Sequence, residues 1–233
     1  MKINIYKIIS KILIIALVIL GIFLPSPHNE AGEQFWFFTI QTNLFVAIIQ
    51  IILLISLILK LSGKQTKLED SNLFSKIRII ITFFITVTCL IYCFVLAPAG
   101  MIFKSIPFLE MFDFRNIILH IIVPVLAIVD YILFCKKGSI TYKQTYLFLI
   151  YPVLYFFLVN TRVWCGGLPF SESGSYYPYF FLDPAINGWG FVAICLVLIV
   201  LLFYGLASLY IYIDKKILKK QLKENLAQQK KPE

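Results

Sequence analysis

Apolar residues fall into six long blocks, each close to the roughly 20 residues a helix needs to cross the hydrocarbon of a bilayer. Bounded by charge, proline or glycine, the blocks run from Ile8 to Leu24, Trp36 to Leu59, Ile77 to Pro98, Asn116 to Phe134, Thr145 to Val163 and Asn187 to Ile213. The connections are too short for a soluble domain. The pattern therefore predicts an all-α polytopic membrane protein: six transmembrane helices in one bundle over residues 1–213, then a basic cytoplasmic tail over 214–233. The first block follows Lys2, Lys7 and Lys11, as the core of a signal peptide would. Pro25-Ser26-Pro27-His28 offers no small-x-small cleavage site, however, so the block reads as a retained first helix. No internal repeat is evident.

Composition agrees with this pattern. A chain that is 60% hydrophobic and 14% charged has too little polar surface to cover a water-soluble core, so the excess faces lipid. A net charge of +9 in a soluble protein points toward nucleic acid, but here the cations sit between apolar blocks and report topology instead. Of the 21 Lys and Arg, only Lys104, Arg115 and Arg162 fall in the odd-numbered connections. Translocating cations is unfavourable, so the crowded side is cytoplasmic, both termini lie there, and the protein belongs in the cell membrane. The expected partners are membrane lipids, with the C-terminal lysines suited to anionic headgroups at about 1 kcal/mol each. Nucleic acid is not expected. Cys89, Cys93, Cys135, Cys165 and Cys195 form an odd set without C-x-x-C spacing, which indicates neither a disulfide framework nor a metal site. No cofactor motif is present.

Polar side chains inside hydrocarbon are the informative exceptions, because each is disfavoured unless it is used. On helix two, Thr39, Thr42, Asn43 and Gln50 form one stripe at steps of three, four and seven. Helix three carries Thr82, Thr86, Cys89 and Cys93 on a single face, and helix four carries Asn116, His120 and Asp130. Counted from the outer ends of the blocks, Thr42 lies about 9 Å and His120 about 6 Å down their helices, nearly level. Asn160, Arg162 and the segment from Trp164 to Trp189 fall in the same outer layer. A neutral imidazole beside a threonine hydroxyl can act as its general base and turn it into an acyl acceptor. A buried histidine bonded to a neighbouring helix explains the same residue without catalysis. Asn43, Asn116 and Asn160 are candidate oxyanion donors. Asp183 is the carboxylate best placed to orient His120. Asp130 is expected to pair with Lys136 or Lys137 at the interface. The aromatic run from Tyr176 to Pro184 reads either as an interfacial belt or as a lid over the cluster.

Several segments together resemble a known family. They are Phe38-Thr39-Ile40-Gln41-Thr42-Asn43-Leu44, Leu119-His120-Ile121-Ile122-Val123-Pro124 leading to Asp130-Tyr131-Ile132-Leu133-Phe134, Tyr151-Pro152, and Tyr177-Pro178-Tyr179-Phe180-Phe181-Leu182-Asp183 before Gly188. In order and placement they resemble prokaryotic relatives of the androgen-induced and androgen-dependent TFPI-regulating membrane proteins. The resemblance implies a six-helix integral membrane protein. In animal members it implies a hydrolase that cleaves fatty acid esters of hydroxy fatty acids with an intramembrane threonine and histidine. His120 matches the histidine. The threonine falls on Thr42, preferred for its depth, or on Thr39. Two functions follow: an intramembrane hydrolase or acyltransferase of lipid esters open to the outer leaflet, or a non-enzymatic bundle that binds lipid or a protein partner or serves as a small transporter subunit.

Overall fold

The computed structural model describes residues 2–25, 32–103, 105–171 and 173–229, and every regular element among them is helical. Six helices are long and apolar enough to cross a membrane. We label them α1 (Lys2–Phe23), α2 (Phe38–Leu61), α3 (Asn72–Ile91, continuing through Tyr92–Leu96 into Ala97–Phe103), α4 (Phe114–Phe134), α5 (Leu147–Trp164) and α6 (Pro184–Gln229). His28, Lys104, Lys230 and Lys231 lie outside the described residues.

Helix boundaries depart from the apolar blocks where capping groups extend them. Ser71 stands before α3 and accepts the Phe74 N–H at 3.3 Å, so the helix starts ahead of its hydrophobic block. Asp113 does the same for α4, accepting from the Asn116 N–H at 2.6 Å. α6 begins at Pro184, whose fixed φ suits a first turn, and Asp183 accepts the Ala185 N–H at 2.8 Å. Gly188 then turns the path at φ 77°, a left-handed value that side chains rarely adopt. Beyond Ile213 the helix continues to Gln229. Asp214 is buried, accepting from the Tyr131 hydroxyl and, at 2.7 Å, from the Gly138 N–H.

Prolines shape α3 and α4 in the same way. A proline lacks an N–H, and its ring collides with the carbonyl four residues back, which is that of Phe94 for Pro98 and of His120 for Pro124. In both helices the preceding turn widens from i−4 to i−5 bonding, at Tyr92–Leu96 and at Ile118–Ile122. The Ala97 N–H meets the Tyr92 carbonyl, and the Val123 N–H meets that of Ile118. This widening relieves the clash and lets each helix run on. It is the reason α3 passes through Pro98, where the apolar block ended.

Two large groups of buried apolar side chains and two smaller ones fill the described bundle. Ile14, Val18, Ile40, Val46, Ile118 and Val123 join α1, α2 and α4. The other large group joins α3 to α6 around Phe83, whose ring meets Phe148 at 4.7 Å and Phe203 at 5.5 Å, edge to face. Lipid is as apolar as these groups, so close contact rather than water exclusion selects the packing. Gly21 lets α1 press on α4: a Cβ there would stand 2.7 Å from Leu119 Cδ2. Arg115 Nε also donates to the Gly21 carbonyl at 3.1 Å.

Near the far end of α4, Asp130 ties four helices together. Its side chain is 2% exposed. One oxygen accepts from Lys11 Nζ at 2.6 Å and Ser10 Oγ at 2.9 Å; the other accepts from Arg78 Nη2 and Gln50 Nε2, both at 3.2 Å. Asp130 is therefore paired, but not with Lys136 or Lys137 as expected. α4 ends at Cys135 in extended backbone, which swings the next two side chains away. Lys136 donates to the Asp70 carbonyl at 3.2 Å, and Lys137 donates to the Tyr131 carbonyl. Burial pushes the Lys137 ammonium down to about 8. Together with Lys7 on Glu69 at 2.9 Å, these contacts gather the start of α1, the α2–α3 and α4–α5 connections and Asp214 at one end of the bundle.

Candidate active site

At the opposite end, Thr39 sits in the first turn of α2 and His120 in the widened turn of α4. Thr39 Oγ1 and His120 Nε2 are 3.2 Å apart, and both residues are buried. The other ring nitrogen, Nδ1, lies 3.0 Å from the Asn116 carbonyl. A carbonyl only accepts, so Nδ1 carries the proton and Nε2 presents a lone pair to the threonine hydroxyl. The Tyr92 ring stacks on the imidazole with centroids 3.7 Å apart and planes 19° apart. The Tyr92 hydroxyl donates to the Met111 carbonyl, which also accepts from Asn116 Nδ2 at 3.1 Å. The two proline-widened turns thus meet here, one supplying the histidine and the other the ring that holds it flat.

Thr42, preferred on depth, faces elsewhere. At 100° per residue it is turned about 60° from Thr39 around the axis of α2, enough to aim at α3 instead of α4. Its hydroxyl lies 2.9 Å from that of Thr88 and 3.0 Å from the Thr39 carbonyl. Asn43, one turn after Thr39, shares its direction and donates to the Leu119 carbonyl at 3.1 Å. Azimuth rather than depth decides which threonine meets the histidine.

Thr39 also lines a cavity of about 100 Å³ between α2, α3, α5, α6 and the segment that follows α5. Val87, Ile91, Leu96, Phe156, Leu196 and Phe203 make most of its wall apolar, and Thr39, Thr88, Tyr155 and Tyr179 are its hydroxyl-bearing residues. Tyr179, Phe181 and Leu182 of the aromatic segment close one side. Arg162 fastens this segment by donating to the carbonyls of Tyr176 at 3.0 Å and Leu168 at 2.6 Å, with its guanidinium 4.4 Å from the Phe170 ring centroid. Outward-facing Tyr176, Phe180 and Trp189 accompany the inward ones, so belt and cover coexist in one stretch.

The remaining expected residues hold structure around this pair. Asn43 gives its amide hydrogens to the carbonyls of Thr39 at 2.9 Å and Leu119. Asn160 donates to the Phe156 carbonyl at 2.8 Å and accepts from the Tyr177 hydroxyl at 3.2 Å. Asp183 does not reach His120: its oxygens serve the start of α6 and the Ser175 hydroxyl at 2.5 Å. The group that orients the imidazole is the Asn116 carbonyl. Sequence reasoning did not single out Tyr92 or Tyr155, and it took in Tyr179 only as part of the aromatic run. A proline four residues after His120 and another six after Tyr92 were the available signals for the first of these.

Compared with family models, curated proteins and solved structures, the chain has no match.

Proposed function

We propose that this protein is an intramembrane hydrolase of lipid or fatty-acid esters, with Thr39 as nucleophile and His120 as general base. The contact of 3.2 Å between Thr39 Oγ1 and the unprotonated ring nitrogen, at the wall of an apolar cavity, carries this reading. Thr39 Oγ adds to the ester carbonyl while His120 Nε2 takes the hydroxyl proton. The C–O bond to the alcohol then breaks, and the leaving oxygen takes that proton back from the imidazolium. A water, deprotonated by the same nitrogen, attacks the acyl-threonine and releases the fatty acid with Thr39 restored. The resemblance to the animal ester hydrolases names the same two residue types and agrees with acyl chains as ligands of the cavity. The positive-inside distribution of Lys and Arg supports cytoplasmic termini and a Thr39–His120 layer in the outer leaflet.

A membrane preparation treated with an alkyl fluorophosphonate should label wild type and Thr42→Ala, but not Thr39→Ala or His120→Ala. Equal labelling of wild type and Thr39→Ala would overturn the assignment. A second reading, a non-enzymatic lipid-binding bundle, is favoured by the ease with which hydroxyls here join helices, as Thr42 does with Thr88 and Thr86 with the Tyr210 hydroxyl at 2.7 Å. In that case His120→Ala would lower the yield of folded protein and reveal no lost turnover.

A further inference from the structure

Addition of Thr39 to an ester turns the carbonyl oxygen into an oxyanion, and in a cavity with apolar walls that charge requires a donor aimed at it. On the hydrolase reading, a group that lines the cavity must be that donor. Asn43 spends both amide hydrogens on backbone carbonyls, and neither Asn116 nor Asn160 lines the cavity. Of the hydroxyls that do line it, Thr88 donates to the Phe84 carbonyl at 3.1 Å and Tyr155 to the Trp36 carbonyl at 2.9 Å.

Tyr179 is held in a different way. Its oxygen accepts the Phe38 N–H at 3.1 Å, at the start of α2, and the same hydroxyl lies against the Thr39 backbone and the hydroxyls of Thr39 and Tyr155. Backbone N–H groups can only donate to it, so its own proton turns to a neighbouring oxygen, and the Thr39 oxygen that would attack the ester is one such. Its ring is fixed by stacking on Phe181 at 5.3 Å and 6°, and by an edge contact with Phe37 at 5.8 Å.

We propose that Tyr179 is a catalytic residue of this site, donating a hydrogen bond to the ester carbonyl oxygen as Thr39 adds to it. The proton stays on the phenol throughout, and the bond shortens as charge builds on the carbonyl oxygen. The N–H groups of the first turn of α2 polarise the phenol from behind, so the positive end of that helix reaches the oxyanion through the tyrosine. Burial pushes the Tyr179 hydroxyl up to about 12, which keeps it a donor at neutral pH. The aromatic segment then does more than exclude water: it brings a reacting-centre donor with it.

The test uses the full chain in lipid nanodiscs, a long-chain p-nitrophenyl ester and an alkyl boronic acid, whose tetrahedral adduct on Thr39 places an oxygen where the oxyanion forms. Tyr179→Phe should lower kcat by about 10²-fold with little change in KM, and should weaken the boronate in step with kcat/KM. A Tyr179→Phe protein that turns over like wild type, while Thr39→Ala and His120→Ala are inactive, overturns the role of Tyr179 and leaves the hydrolase reading standing. An active Thr39→Ala overturns the hydrolase reading itself. Should Tyr179→Phe fail to fold, fluorotyrosines of graded acidity at position 179 preserve every hydrogen bond. A kcat that moves with phenol acidity supports the proposal, and one that stays flat across the series overturns it.

Discussion

α2 and α4 meet through buried polar groups at two levels, and the two meetings are built on opposite plans. At one level Gln50 and Asp130 join Lys11, Ser10 and Arg78, and both carboxylate oxygens have two donors. At the other, Thr39 and His120 share a single contact beside a cavity. The first level places charge in an apolar bundle and surrounds it with partners from three other helices, so any motion there breaks several charge-assisted bonds. The second has no ion pair and leaves room beside its hydroxyl, as the proposed chemistry requires. Over-satisfied groups fix a bundle; under-committed groups are the ones available for chemistry.

The sharpest way to break this contrast is at Asp130. Asp130→Ala leaves Lys11 and Arg78 buried without a counter-ion and should cost about 3–5 kcal/mol, read as a collapse in the yield and thermal midpoint of detergent-solubilised protein. A variant as stable as wild type would remove the structural role of that level. His120→Ala should do the reverse, lowering ester turnover by about 10²–10⁴-fold while the thermal midpoint stays close to wild type. Loss of folding in step with loss of turnover would merge the two levels into one. Thr42→Val tests the azimuth argument: it removes a hydroxyl that bridges α2 and α3 and should cost about 1 kcal/mol, with fluorophosphonate labelling intact.

A further effect, seen only as a pH dependence, concerns Lys137, next to the charged level. Folding lowers its pKa from 10.5 to about 8, chiefly through burial, so across that interval the unfolded chain binds more protons than the folded one. The penalty for burying the ammonium is complete below about 8, and stability rises with pH from there toward 10.5. Lys137→Met should flatten that rise in denaturation midpoints measured at pH 7.5 to 10; an unchanged slope would assign it to other groups.

Much of this architecture is legible in the chain itself. Six apolar runs separated by charge specify six helices, because hydrocarbon leaves a backbone no other way to satisfy its hydrogen bonds. The polar stripe on α2 and the histidine of α4 likewise point to two helices whose polar side chains meet, at Thr39 and His120. What pattern alone missed has two physical causes. Depth along an ideal helix carries no information about rotation, so Thr42 outranked Thr39 although Thr39 faces α4. Lysines near helix ends were treated as topology markers, whereas Lys11 is 1% exposed and satisfies Asp130. The widened turns are written in Pro98, which the pattern takes as a terminator, and in Pro124, which it passes through with no change in the turn before it.

Gly21 carries a consequence for the placement of His120. Its missing side chain lets α1 rest on Leu119, the residue beside His120, and an added methyl would meet Leu119 at 2.7 Å. Bulk there presses first on the side chains of Leu119 and Ile118, which belong to the widened turn that carries His120. If the chain is the hydrolase proposed above, its rate is adjustable from a helix that contributes no reacting atom, through the size of one small residue on α1.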